Sequence, residues 1–185
     1  MLVSSAAYAH TGIGHTAGFT HGFVHPISGI DHVLAMIAVG LFAAQLGGRA
    51  LWLVPASFVG MMAGAGVLGA AGVQLPFAEV GIAISVVALG LIVAFHARPP
   101  VAMAMALVAF FALFHGHAHG AEIPENASGL TYGVGFIAAT TLLHAVGIGI
   151  GLAVGGLPLR HSERLLQLCG GAISLVGAAI LFGMI

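Results

Sequence analysis

Eleven histidines in a chain of 185 residues outnumber both the four basic and the five acidic side chains, and they are not scattered. The first concentration is His25-Pro26-Ile27-Ser28-Gly29-Ile30-Asp31-His32. Pro26 suits a first helical turn, where its missing N–H costs nothing. On a continuous helix at 100° per residue, His25 and His32 are nearly eclipsed two turns apart, with Asp31 adjacent. Gly29 between them removes a side chain and leaves room for a neighbouring helix or an ion against the backbone. The second concentration is His115-Gly116-His117-Ala118-His119-Gly120-Ala121-Glu122. His115 and His119 are i, i+4 and share a helix face; Glu122 joins them if the helix continues, while His117 points the other way. Imidazole nitrogen with carboxylate oxygen suits divalent nickel, cobalt, zinc or iron, and the absence of thiolate argues against copper(I) or cadmium. Two structural readings compete with this. Asp31 and His32 could be a buried pair that locks two helices together, and the second stretch could be a solvated loop that binds metal adventitiously.

The elements that must position these groups are membrane helices. Sixty per cent of the residues are hydrophobic and 5% charged, against roughly a quarter charged in soluble domains. The 29 glycines fit the close helix approach seen in lipid. A spanning helix needs about 20 mostly apolar residues. Six stretches qualify: roughly Phe23–Leu46, Ala50–Gly69, Phe77–Phe95, Val101–His119, Leu130–Val154 and Leu165–Met184. Breakers separate them at Gly47-Gly48, Gly72 to Pro76, Pro99-Pro100, Pro124 to Gly129 and Gly155 to Pro158. The expected fold is all-α: a polytopic bundle of about six transmembrane helices in one domain, residues 10–185. Residues 1–9 end in Ala7-Tyr8-Ala9, the small-x-small form of a signal-peptidase site, and are read as the remnant of a signal peptide. Cleavage there would make His10 the mature N-terminus and add a free amine beside its imidazole. The alternative is an ordinary polar stub. Both place the N-terminus outside. With four basic residues nucleic acid is excluded as a partner, and the lone Cys169 excludes internal disulfides and zinc ribbons.

An outside N-terminus puts Arg49, Arg98, Arg160 and Arg164 all in cytoplasmic loops, the positive-inside pattern. It also sorts the histidines. His10, His15, His21, His25, His32, His115, His117 and His119 crowd the outer side, and only His96 and His161 fall in cytoplasmic loops. His144, deep in the fifth stretch, is either a ligand on the path inward or a satisfied structural histidine. Ionisable groups below the membrane interface, Asp31 and His32 among them, are by default functional. Glu79 is read as a headgroup residue and Met36 as apolar packing.

The motif His25-Pro26-x-x-Gly29-x-Asp31-His32, running into Leu34-Ala35-Met36-x-Ala38-Val39-Gly40-Leu41, resembles the first-helix signature of HupE/UreJ proteins. So do Ala43-Ala44-Gln45-Leu46-Gly47-Gly48-Arg49-Ala50 and Phe114-His115-Gly116-His117-Ala118-His119-Gly120-x-Glu122. The likeness covers nearly the whole chain. It implies a nickel or cobalt permease of the bacterial inner membrane, associated with hydrogenase and urease gene clusters, and not an enzyme. The resemblance assigns the metal to His25, Asp31, His32, His115, His119 and Glu122. His10, His117 and His144 complete the candidate set from the residues alone. No permanent cofactor is implied: Ni²⁺ or Co²⁺ is cargo, and the lipid bilayer is the other partner. Homo-oligomers, accessory proteins and the coupling ion lie beyond the sequence. Two rivals use the same residues. An intramembrane zinc hydrolase would hold its metal with His115, His119 and Asp31 beside Ser28. A haem subunit would take His32 and His144 as axial ligands.

Overall fold

The computed structural model describes residues 13–123 and 128–184, with side chains from residue 18 onward. His10, the side chain of His15, Glu125 and the signal-peptide reading of residues 1–9 lie outside the described residues. Among the latter the chain is entirely helical: α1 (Ile13–Ser28), α2 (Ile30–Leu46), α3 (Ala50–Ala70), α4 (Ala78–Ala94), α5 (Val101–Ala121), α6 (Gly129–Gly155) and α7 (Leu159–Leu181). The all-α, polytopic expectation is met. Four helices, α3, α5, α6 and α7, are long and apolar enough to cross a membrane. The α1–α2 pair makes a fifth if taken as one broken span, and α4 is a shorter apolar helix of 17 residues.

The first span is not the continuous helix its hydrophobic run predicts. The chain bends by 79° between α1 and α2 at Gly29, whose backbone is extended at φ −88°, ψ 120°. Any residue adopts that conformation, so the requirement for glycine comes from space. A Cβ at Gly29 would stand 2.7 Å from Asp31 Oδ1 and 2.9 Å from His32 Nδ1, closer than real Cβ atoms come. Asp31 folds back to accept a hydrogen bond from the His32 backbone N–H at 2.8 Å. That satisfies one of the amides a helix start leaves unpaired and sets a negative charge at the positive end of the helix. On the α1 side the Ser28 hydroxyl donates to the Val24 carbonyl at 2.9 Å, so α1 closes with its last turn tied to itself.

The main packing seams are α2 and α1 against α6, α3 against α5, and α4 against α7. Glycines make each possible. Gly40 on α2 faces the His144 carbonyl and Gly147 on α6. Gly116 and Gly120 on α5 face the carbonyls of Met62 and Gly66 on α3. Gly90 on α4 and Gly170 on α7 face each other's backbone. Exchanging α2 with α5, α3 with α6 and α4 with α7 turns the α2–α6 and α3–α5 seams into each other and the α4–α7 seam into itself. That is the pairing a repeat of two three-helix halves would produce. Between the seams lies a core that includes Met36, Val39, Phe42, Phe58, Leu89 and Phe111.

Candidate metal site

A cavity of about 640 Å³ opens at one end of the bundle, lined by His21, His25, Ser28, Gly29, Asp31, His32, Glu79, His119 and Glu122 among others. The bend at Gly29 creates it: α1 stops short and α2 starts off-axis, so the last turn of one and the first turn of the other wall the same space. The third wall is the end of α5. All four arginines lie at the opposite end of the helices, in the α2–α3 and α4–α5 connections and the first turns of α7.

Six predicted residues meet here. The bend removes the eclipsed geometry expected for His25 and His32, yet their ring centroids stay 6.3 Å apart, brought together across the break rather than along one helix. His25 packs on His119 at 4.6 Å, His119 on His32 at 4.4 Å and His32 on His115 at 4.9 Å between centroids. The four imidazoles thus run continuously from the cavity into the core. His25, at the mouth, is half-buried; His32 and His119 are buried, and His115 is fully so. Glu122 Oε2 stands 3.7 Å from His119 Nδ1 and 4.0 Å from His25 Nε2. One ligand atom from each of His25, His119 and Glu122 lies within 4.8 Å of the others, a spacing a metal ion can draw together.

The ring nitrogens can be assigned one by one. Asp31 Oδ1 sits 2.7 Å from His32 Nδ1, so that nitrogen carries the proton and donates to the carboxylate. His32 Nε2 is then a bare lone pair, and it faces His119 Nε2 in close contact. His119 has one proton to place. On Nδ1 it points toward Glu122 and leaves two lone pairs facing across the His32–His119 contact. On Nε2 it relieves that contact but leaves the Nδ1 lone pair facing a carboxylate. With the proton on Nε2, His119 donates to His32, and its Nδ1 lone pair and the Glu122 carboxylate 3.7 Å away are two electron-pair donors that a cation could bridge. His115 is fixed differently: the Ser85 hydroxyl donates to the Ile82 carbonyl at 2.6 Å, so its oxygen accepts from His115 Nε2–H at 2.9 Å. His115 Nδ1 is left as a bare, fully buried lone pair without a partner. Asp31 and Ser85 thereby orient the His32 and His115 rings, as such partners do around metal-bound histidines generally.

Other predicted residues lie elsewhere. His117, as its helical phase implies, points away, and its Nε2–H donates to the Val73 carbonyl after α3. His144 is buried in mid-α6, against the Phe58 ring. The Ser28 hydroxyl that a hydrolase would use is engaged with Val24. Glu79, read as a headgroup residue, is exposed but also lines the cavity. Three contributors escaped the sequence reading. Ser85 carried no signal beyond being polar in an apolar helix. Tyr132 and Phe136 form an aromatic wall around His25 and His119, and their spacing along α6 is that of ordinary core residues.

Comparison with known proteins gives the chain a family. The chain matches the family described as HupE / UreJ protein over residues 1–180. It is 46% identical over 183 residues to Protein HupE of Rhizobium leguminosarum bv. viciae, which covers 99% of this chain and 94% of that relative. No solved structure matches it. A family match over nearly the full length, with a relative 46% identical, makes this multi-pass membrane protein a member of the HupE/UreJ family.

Proposed function

We propose that this protein is a secondary permease that carries Ni²⁺ or Co²⁺ across the bacterial inner membrane to supply metalloenzyme maturation, with the cavity facing outward. The observation that carries the reading is the convergence of ring nitrogens of His32 and His119 on each other, with the Asp31 and Glu122 carboxylates beside their second nitrogens. Nitrogen with carboxylate oxygen is the donor chemistry of these two ions. His21 and Glu79 at the cavity mouth, with His10 and His15 before them in the chain, attract dilute cation. The ion loses water to His25, His119 and Glu122. His119 then presents its other nitrogen toward His32, so one side chain serves both the outer triad and the inner pair. Asp31 keeps that step favourable: without its charge, the ion would face the bare positive end of α2. The hydrogenase and urease connection comes from the family, and the outward orientation from the arginines at the far end.

Asp31→Ala tests this reading in cells that depend on the protein for nickel or cobalt. Accumulation of radioactive nickel and cobalt should fall by at least about tenfold, the lower range for loss of a group that orients a ligand. Normal accumulation of both metals in that variant would overturn the assignment.

A further inference from the structure

His144 is 2% exposed, and neither of its ring nitrogens has a hydrogen-bond partner. An imidazole that serves only to hold helices together would use at least one of them, because an unsatisfied buried polar group costs about 1–3 kcal/mol. Its backbone is closely packed: Gly40 of α2 packs directly on the His144 carbonyl, and Gly147, three residues on, packs back on Ile37 and Gly40. The backbone that carries the ring is therefore fixed in place, while the ring nitrogens have no partner.

Its place in the bundle gives those nitrogens a use. Phe136, beside His119 at the cavity, lies eight residues earlier on the same helix, which sets His144 about 12 Å deeper along α6. The imidazole run from the cavity ends at His115, whose Nδ1 is also buried and unpartnered. The Phe58 ring touches both, at 5.6 Å from His115 and 5.2 Å from His144 between centroids. One turn nearer the cavity, Thr140 donates to the Met62 sulfur at 3.7 Å, so α3 and α6 meet along the same path. We infer that His144 is an inner binding station for the transported divalent metal ion, divided from the outer cluster by the Phe58 ring. The ion leaves His32 and His115 and is taken by His144 once Phe58 moves aside. The α2 helix is suited to link the two, because its first turn carries Asp31 and His32 and its middle packs against His144. This inference rests on the metal-carrying reading above.

The test puts a spectroscopic ligand at the station in the full-length protein. His144→Cys is made with Cys169→Ser, which removes the only native thiol. Co²⁺ added to the purified protein should then give a near-ultraviolet thiolate-to-cobalt charge-transfer band that Cys169→Ser alone does not show. No band at a Co²⁺ concentration that saturates the wild type overturns the station. His144→Leu supplies a transport readout in a variant that loses no hydrogen bond. Its Co²⁺ affinity should stay within about threefold of wild type, while uptake into proteoliposomes falls at least about tenfold. Uptake within about twofold of wild type overturns the inference and leaves the outer cluster as it stands. Loss of binding together with uptake overturns it as well, because His144 would then belong to the outer cluster or the scaffold. If wild-type protein neither binds nor accumulates nickel or cobalt, the permease reading fails with it. The two failures are thus separate results.

Discussion

Two histidines of the cluster, His32 and His115, each have one nitrogen committed to an orienting partner and one left for the ion, and the partner differs along the path. Asp31 holds His32, and Ser85 holds His115. Ser85 is the less obvious of the two, yet its hydroxyl proton is already given to Ile82, so it can only accept from His115. Ser85→Ala should therefore act on the metal more than on the fold. It frees the His115 ring to turn and leaves its N–H unsatisfied, at a cost of about 1–3 kcal/mol. Nickel and cobalt affinity, measured by titration of the purified protein, should drop about 10- to 100-fold, as for other groups that orient a ligand. Ser85→Thr keeps the hydroxyl and should restore most of it. Equal affinity in Ser85→Ala and wild type would show that the ring needs no such support. This residue was illegible in the sequence because a serine in an apolar helix more often bonds its own backbone, which Ser85 also does.

At the scale of elements, glycine placement decides which helices meet. Two α6 glycines two residues apart make the contrast. Gly147 faces the backbone of α2, where a Cβ would collide with the Ile37 carbonyl, whereas a Cβ at Gly149 meets nothing within 4 Å. Gly147→Ala should destabilise the bundle by about 1–3 kcal/mol, as overpacking does. Gly149→Ala should be neutral or stabilising by up to about 1 kcal/mol, since alanine is the better helix former. Thermal unfolding in one detergent compares them, and equal shifts would deny that the α2–α6 seam is set by Gly147. The sequence made these helices legible, because apolar runs of about 20 residues bounded by Pro and Gly leave few choices. It did not reveal the break in the first span. Periodicity continues through Gly29, and the bend is fixed by Asp31 and His32 folding over that residue, a contact between side chains and backbone that hydropathy does not register. For the same reason the His25 and His32 rings come within 6.3 Å across the bend and not by the phase of one continuous helix. Partners that arrive from other helices, Ser85, Phe58 and Tyr132, depend on packing seams that a single chain's pattern does not encode.

The whole molecule is polarised along the bundle. Asp31, Glu79 and Glu122 line the cavity, while Arg49, Arg98, Arg160 and Arg164 lie at the other end. Acidic groups around a concave mouth raise the local concentration of cations, and in our reading the arginines orient the bundle with that mouth outward. Nothing in the sequence resembles a nucleotide-binding loop, so the driving force in our reading is the membrane potential acting on the ion. Moving two charges inward yields about 4.6 kcal/mol per 100 mV, or roughly three powers of ten in the equilibrium accumulation ratio. Proteoliposomes in which a potassium gradient and valinomycin set the potential test this directly. With the interior negative, Ni²⁺ or Co²⁺ should accumulate above the external concentration. At zero potential the same vesicles should only equilibrate, and reversing the gradient should hold the metal out. A ratio that ignores the potential and follows an imposed pH gradient would instead require an exchange of protons for metal. The histidine run would then have to carry the protons as well, because His25, His119, His32 and His115 form the one chain of titratable groups leading inward from the cavity among the described residues.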